Sequence, residues 1–79
     1  MEFKELKEIA KRIERSGNIR AATDAECEEH GISMSDRLTV LRLVFLYRRY
    51  KEKKISAVEV EIQQEEIEET WETVKGDAE

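Results

Sequence analysis

Proline is absent from this 79-residue chain, glycine occurs three times, and cysteine and histidine occur once each. With no proline, no ring geometry interrupts a helix anywhere in the sequence. The three glycines, Gly17, Gly31 and Gly76, each follow a helix-like segment, where a helix stop belongs. A lone Cys27 excludes a disulfide within the chain. An unpaired thiol suits a reducing compartment, so the expected location is the cytoplasm. Long apolar runs are missing too. The longest, Leu43 to Tyr47, is far short of the ~20 residues that span a bilayer. Met1-Glu2-Phe3-Lys4-Glu5 is charged and amphipathic and lacks the apolar core of a secretory leader, so neither a leader nor a membrane partner is expected.

What is present is charge. Charged residues make up 42% of the chain and hydrophobic residues 39%, with a net charge of −5. The apolar residues recur at regular spacing, which separates this chain from a disordered one. Abundant Glu, Lys, Arg and Leu favour helix on propensity alone. A domain near this size buries only ~60% of the surface its unfolded chain exposes, and self-association is one common remedy for so marginal a core.

The spacing of Phe3, Leu6, Ile9, Ala10 and Ile13 predicts a first helix from about Glu2 to Arg15. Asn18 can cap a second, thinner helix from Ile19 to His30, whose face is built of Ile19, Ala21, Ala22 and Ala25. A start at Thr23, through the capping-box pattern Thr23-Asp24-Ala25-Glu26, is the other reading. The third helix begins near Ser33 or Ser35 and ends near Lys54. It is apolar on nearly every side between Leu38 and Tyr50, which predicts a helix surrounded by partners.

The fourth segment carries two signals. Ser56-Ala57-Val58-Glu59 is a capping-box pattern, and Ala57, Val60, Ile67, Trp71 and Val74 fall on one helical stripe. Val58, Val60 and Ile62, however, alternate with Glu59 and Glu61 at the two-residue period of a strand. Helix is the favoured reading, with a short strand at 56–62, paired across a dimer, as the alternative. The expected fold is therefore all-α: a compact bundle of three to four helices around a central apolar helix. Residues 1–75 form a single helical domain and 76–79 a flexible acidic tail.

Charge is segregated along the chain. Asp36 to Lys54 holds seven basic and two acidic residues, whereas Ile55 to Glu79 holds one basic and nine acidic. This pattern offers two binding surfaces. Glu61, Glu65, Glu68, Glu69 and Glu72 fall opposite the apolar stripe of the fourth helix. Such a face can imitate nucleic-acid phosphates and steer a basic partner, or simply keep the chain in solution. Arg48, Arg49, Lys51, Lys53 and Lys54 surround Tyr50 at the end of the third helix, a combination that can hold phosphates and stack on bases. Cations there also complement the helix dipole.

Two further patterns fit less well. Cys27, Gly31, Ile32-Ser33 and Val40 fall at helix-turn-helix positions, but Glu26 and Arg37 stand where that motif needs apolar residues. Cys27 and His30 lie one helical turn apart, yet a structural zinc site needs four ligands and the chain has no other cysteine or histidine. Neither a metal, a cofactor nor a catalytic constellation is expected.

The function these residues support is non-enzymatic: a regulatory or inhibitory protein whose acidic face engages a basic protein surface. The alternative is a nucleic-acid-binding regulator using the basic end of the third helix. A homodimer is expected as well, built on Val60, Ile67, Trp71 and Val74, with Trp71 as its anchor.

Overall fold

The computed structural model describes residues 1–78, and they form four α-helices: α1 (Phe3–Arg15), α2 (Ile19–His30), α3 (Met34–Lys51) and α4 (Ala57–Ala78). Polar caps start them. The Glu5 carboxylate accepts from the Glu2 N–H at 3.3 Å ahead of α1. Asn18 Oδ1 accepts from the Ala21 N–H at 3.1 Å, Ser33 Oγ from Asp36 at 3.3 Å, and Ser56 Oγ from Glu59 at 3.2 Å. Each cap satisfies an N–H that the helix itself leaves without a partner. Gly31 ends α2 in the left-handed region at φ +60°, which only glycine adopts without a steric penalty.

The Ser56 cap also decides the fourth segment. Residues 57–62 are helical, and the Val60 N–H bonds the Ser56 carbonyl at 3.1 Å. The strand alternative is thereby corrected: no strand exists among the described residues for 56–62 to pair with, and a lone strand leaves its backbone groups unsatisfied. Gly76 does not stop α4 either. The helix continues through it to Ala78, so the segment read as a tail is helical as far as described, and Glu79 lies outside the described residues. No helix among the described residues is long and apolar enough to cross a membrane.

Alpha helices α1 and α3 make the heart of the bundle. Phe3, Leu6, Ile9, Ala10 and Ile13 of α1 pack on Val40, Leu43 and Val44 of α3, and Trp71 of α4 closes one end. The long-range bonds set the directions. Lys51 reaches Glu14 at 3.5 Å while Phe3 lies beside Trp71, so α1 and α3 run the same way. Tyr47 bonds Gln64 at 2.6 Å and Asp36 bonds Trp71 at 2.7 Å, so α4 runs back antiparallel to α3.

Helix α2 is the light member. Only Thr23 is buried on it, and Ile19 and Ala22 lean on the core. Two ion pairs tie it down: Arg12 to Glu26 through two hydrogen bonds, at 3.1 and 2.9 Å, and Arg37 to Asp24 at 2.6 Å. The Arg12 guanidinium holds the Glu26 carboxyl below the usual carboxylate range.

Helix α3 is central but not surrounded. α1, α4 and α2 cover three sides of α3, and no helix remains for the fourth. Met34, Leu38 and Phe45 are accordingly 72%, 56% and 53% exposed.

Candidate functional site

Glu61, Glu65, Glu68 and Glu72 follow one another at intervals of four, three and four residues, which is one row along a helix, and Glu69 stands one turn after Glu65. The row runs along one flank of α4, with Glu61 at the groove shared with α1 and α3, while Trp71 and Ile67 turn the inner side into the core. Glu61, Glu65, Glu69 and Glu72 are exposed and Glu68 is half-buried. None of the five takes part in an ion pair among the described residues.

That arrangement works against the fold. Glu61–Glu65, Glu65–Glu68, Glu65–Glu69, Glu68–Glu72 and Glu69–Glu72 are like-charge neighbours one helical turn apart. Each such pair destabilises a helix by ~0.2–0.5 kcal/mol. A cationic surface laid along α4 relieves all of them at once, and the field in front of the row raises the rate at which such a surface arrives.

The basic residues do not gather in the same way. Lys51 pairs with Glu14 at 3.5 Å, Arg48 with Glu52 at 3.8 Å and Lys54 with Glu52 at 3.7 Å. Arg49 donates to the Gln63 amide at 2.8 Å. Lys53 sits in the α3–α4 turn at φ +61°. Arg48 and Arg49, as successive residues, project about 100° apart around the helix. Three of the five cations therefore already face carboxylates of their own chain, and the set spreads over several sides.

The four residues read as a self-association stripe divide differently from expectation. Trp71 is only 9% exposed. Its ring lies 5.5 Å from that of Phe3, its Nε1–H donates to Asp36 Oδ1 at 2.7 Å, and the Lys75 ammonium sits 4.5 Å over its face. Ile67 packs against the core, Val60 is half-buried, and only Val74 is exposed. The stripe is thus the inner seam of α4, and Trp71 is an anchor within the chain rather than at a dimer interface. An apolar stripe reads the same whether its partner lies in the same chain or another; the Asp36 bond that decides it spans 35 residues.

The helix-turn-helix positions place α3 as the reading helix, and its open side carries Met34, Leu38 and Phe45 instead of the polar groups a major groove requires. The apolar reading of 38–50 placed Leu38 and Phe45 in a helix surrounded by partners and did not extend to Met34. The signal that finds them is a second row, Met34, Leu38, Leu41 and Phe45, distinct from the buried row Val40, Leu43, Val44 and Tyr47. Near Cys27, the ligand atoms of Glu26, Glu29 and His30 lie within 4.8 Å of one another. Cys27 is not among them, and both Glu26 oxygens already accept from Arg12.

A groove of about 550 Å³ opens where α1, α3 and α4 meet, lined by Glu14, Tyr47, Tyr50, Lys51, Glu61 and Gln64 among others. Tyr47 donates its hydroxyl to Gln64 Oε1 at 2.6 Å, and burial, with a smaller contribution from Glu8, pushes its phenol up to about 12. A folded-state value above the unfolded one means that neutral Tyr47 stabilises the fold fully below pH ~10 and loses that contribution as pH rises toward 12. Absorbance titration at 295 nm is expected to show one tyrosine ionising near pH 12 in the native protein and both near pH 10 in denaturant. Two native tyrosines ionising together near pH 10 would place Tyr47 in solvent.

No protein-family model, no characterised protein and no solved structure matches this chain.

Proposed function

We propose that the protein is a small, non-enzymatic regulatory or inhibitory protein of the cytoplasm, and that its acidic α4 face engages a basic surface on a protein partner. The observation that supports this reading most is the row of five carboxylates, none of which forms an ion pair among the described residues. A face that only confers solubility mixes both signs. This one concentrates a single sign at a cost to the helix that carries it. Electrostatic complementarity of this kind sets partner choice and association rate, and it weakens steeply with salt.

The test is affinity capture from native-cell extract on the immobilised protein, beside a variant with Glu61, Glu65, Glu68, Glu69 and Glu72 replaced by Gln. The wild type is expected to retain a stoichiometric protein that ~1 M salt releases, where the screening length is ~3 Å. The five-Gln variant is expected to lose that protein and yet melt higher at low salt. Relief of five repulsive pairs is worth ~1–2.5 kcal/mol, and each kcal/mol moves the midpoint of so small a domain by ~4–8 °C. Retention of the same protein by the five-Gln variant would end this reading. So would co-purifying nucleic acid lost on replacing Arg48, Arg49 and Lys51 with Ala, which is the signature of the basic-end alternative.

A further inference from the structure

Two exposed rows on adjacent helices have the same spacing and opposite character in one half. On α3, Met34, Leu38, Leu41 and Phe45 recur at intervals of four, three and four residues, and Leu41 is the only one that is half-buried. On α4, Val58, Ile62, Glu65 and Glu69 recur at the same intervals, with Val58 66% and Ile62 48% exposed. The N-terminal half of each row is purely apolar. The C-terminal half of the α3 row is bordered by Arg42 and Arg49, and that of the α4 row ends in Glu65 and Glu69. Arg42 makes no ion pair or hydrogen bond among the described residues, and the Arg49 guanidinium meets only a neutral amide.

Within one chain these rows cannot meet. α4 runs antiparallel to α3 and docks through its Trp71 side, which leaves Val58 and Ile62 facing outward. Laid parallel, however, the two rows match along their whole length. Val58 and Ile62 reach Met34 and Leu38, and Glu65 and Glu69 reach Arg42 and Arg49. Laid antiparallel, the glutamates face Met34 and Leu38 within reach of Arg42, which lines the same pocket as Leu38, but Arg49 is left beyond Val58 with no carboxylate of the row opposite it. Pairing α3 with a second α3 brings Arg42 against its own copy in a parallel arrangement and against the partner's Arg37 in an antiparallel one, and like charges across an interface oppose association.

We propose that a second copy of this chain docks the Val58–Glu69 row of its α4, in parallel, along the Met34–Phe45 row of α3. The contact is heterologous, so it leaves a free α3 row at one end and a free α4 row at the other and lets association continue past the dimer. This inference rests on the acidic face being a binding surface and adds a second copy to what that face binds. Each row spans ~16 Å of helix. One helix laid on one helix buries less than the ~800 Å² per partner of stable complexes, so the dissociation constant is expected on the order of 100 μM.

A charge exchange tests it. Sedimentation equilibrium at ~10 mM salt, where the Debye length is ~30 Å, compares the wild type with R42E/R49E and E65R/E69R. Circular dichroism checks that both variants stay helical. The wild type should exceed its 9.3 kDa monomer mass and keep rising with concentration. Each variant alone should remain monomeric, because its rows then carry the same sign, and an equimolar mixture should regain association. Phe45→Ser and Ile62→Ser, at exposed positions, should each weaken wild-type association about tenfold and serve if a charge-reversed variant fails to fold. A wild type monomeric at ~500 μM, a single charge-reversed variant that associates like wild type, or an inert mixture of folded variants overturns the proposal. R42E/R49E keeps the acidic face, so its capture of a foreign basic protein separates failure of this inference from failure of the acidic-face reading.

Discussion

Trp71→Ala is expected to bring the protein close to its folding midpoint at room temperature. Removing a large buried aromatic costs about 3–5 kcal/mol, because the transfer free energy is lost and a cavity stays behind. Proteins of this length have roughly 4–12 kcal/mol of stability in total. Trp71 of α4 sits at the end of the bundle where α1 and α3 begin: its ring packs on Phe3, and its Nε1–H bonds Asp36 in the first turn of α3. Trp71→Phe separates the two contributions. It keeps a ring beside Phe3 and removes a hydrogen bond to a carboxylate, worth about 1.5–3 kcal/mol. Thermal melts by circular dichroism measure both. A Trp71→Ala midpoint within ~4 °C of wild type, less than about 1 kcal/mol, would mean that the indole lies outside the core.

Leu43 and Phe45, two residues apart on α3, should respond to truncation very unequally. Leu43 is fully buried between α1 and α3, and Leu43→Ala should destabilise by about 2–5 kcal/mol. Phe45 is the larger side chain, but more than half of it is in solvent. Phe45→Ala should change stability by no more than about 0.5 kcal/mol, the range of ordinary surface substitutions. Chemical denaturation of both variants checks the pair. Equal losses would show that the fourth side of α3 is covered, whereas Phe45 is exposed there.

That pair also marks where the sequence stops being legible. The α1 stripe, Phe3, Leu6, Ile9, Ala10 and Ile13, was readable because one apolar face and one charged face alternate without conflict, and every member is buried. The caps at Asn18, Ser33 and Ser56 were readable because capping is local chemistry. α3 was not, because its buried and exposed rows are both apolar. Only the shortage of other helices decides which row is covered, and that is a property of the whole chain. The inner seam of α4 was readable as a stripe but not as a seam, since Asp36 and Trp71 meet only once α3 and α4 have folded back. Gly76 carried a stop signal that α4 runs through. The acidic row was legible at once, because spacing alone puts five carboxylates along one side of a helix, and four of the five are exposed.

The central claim is that this side of α4 is where a protein partner binds. Carbodiimide-driven labelling of carboxylates with glycine ethyl ester, read residue by residue by mass spectrometry, addresses it directly in the captured complex. Labelling of Glu61, Glu65, Glu68, Glu69 and Glu72 is expected to fall several-fold when the partner is bound, while Glu28 on α2, exposed and distant from the row in sequence, keeps its free-state rate. Unchanged labelling along α4, with protection appearing elsewhere on the molecule, would contradict the account.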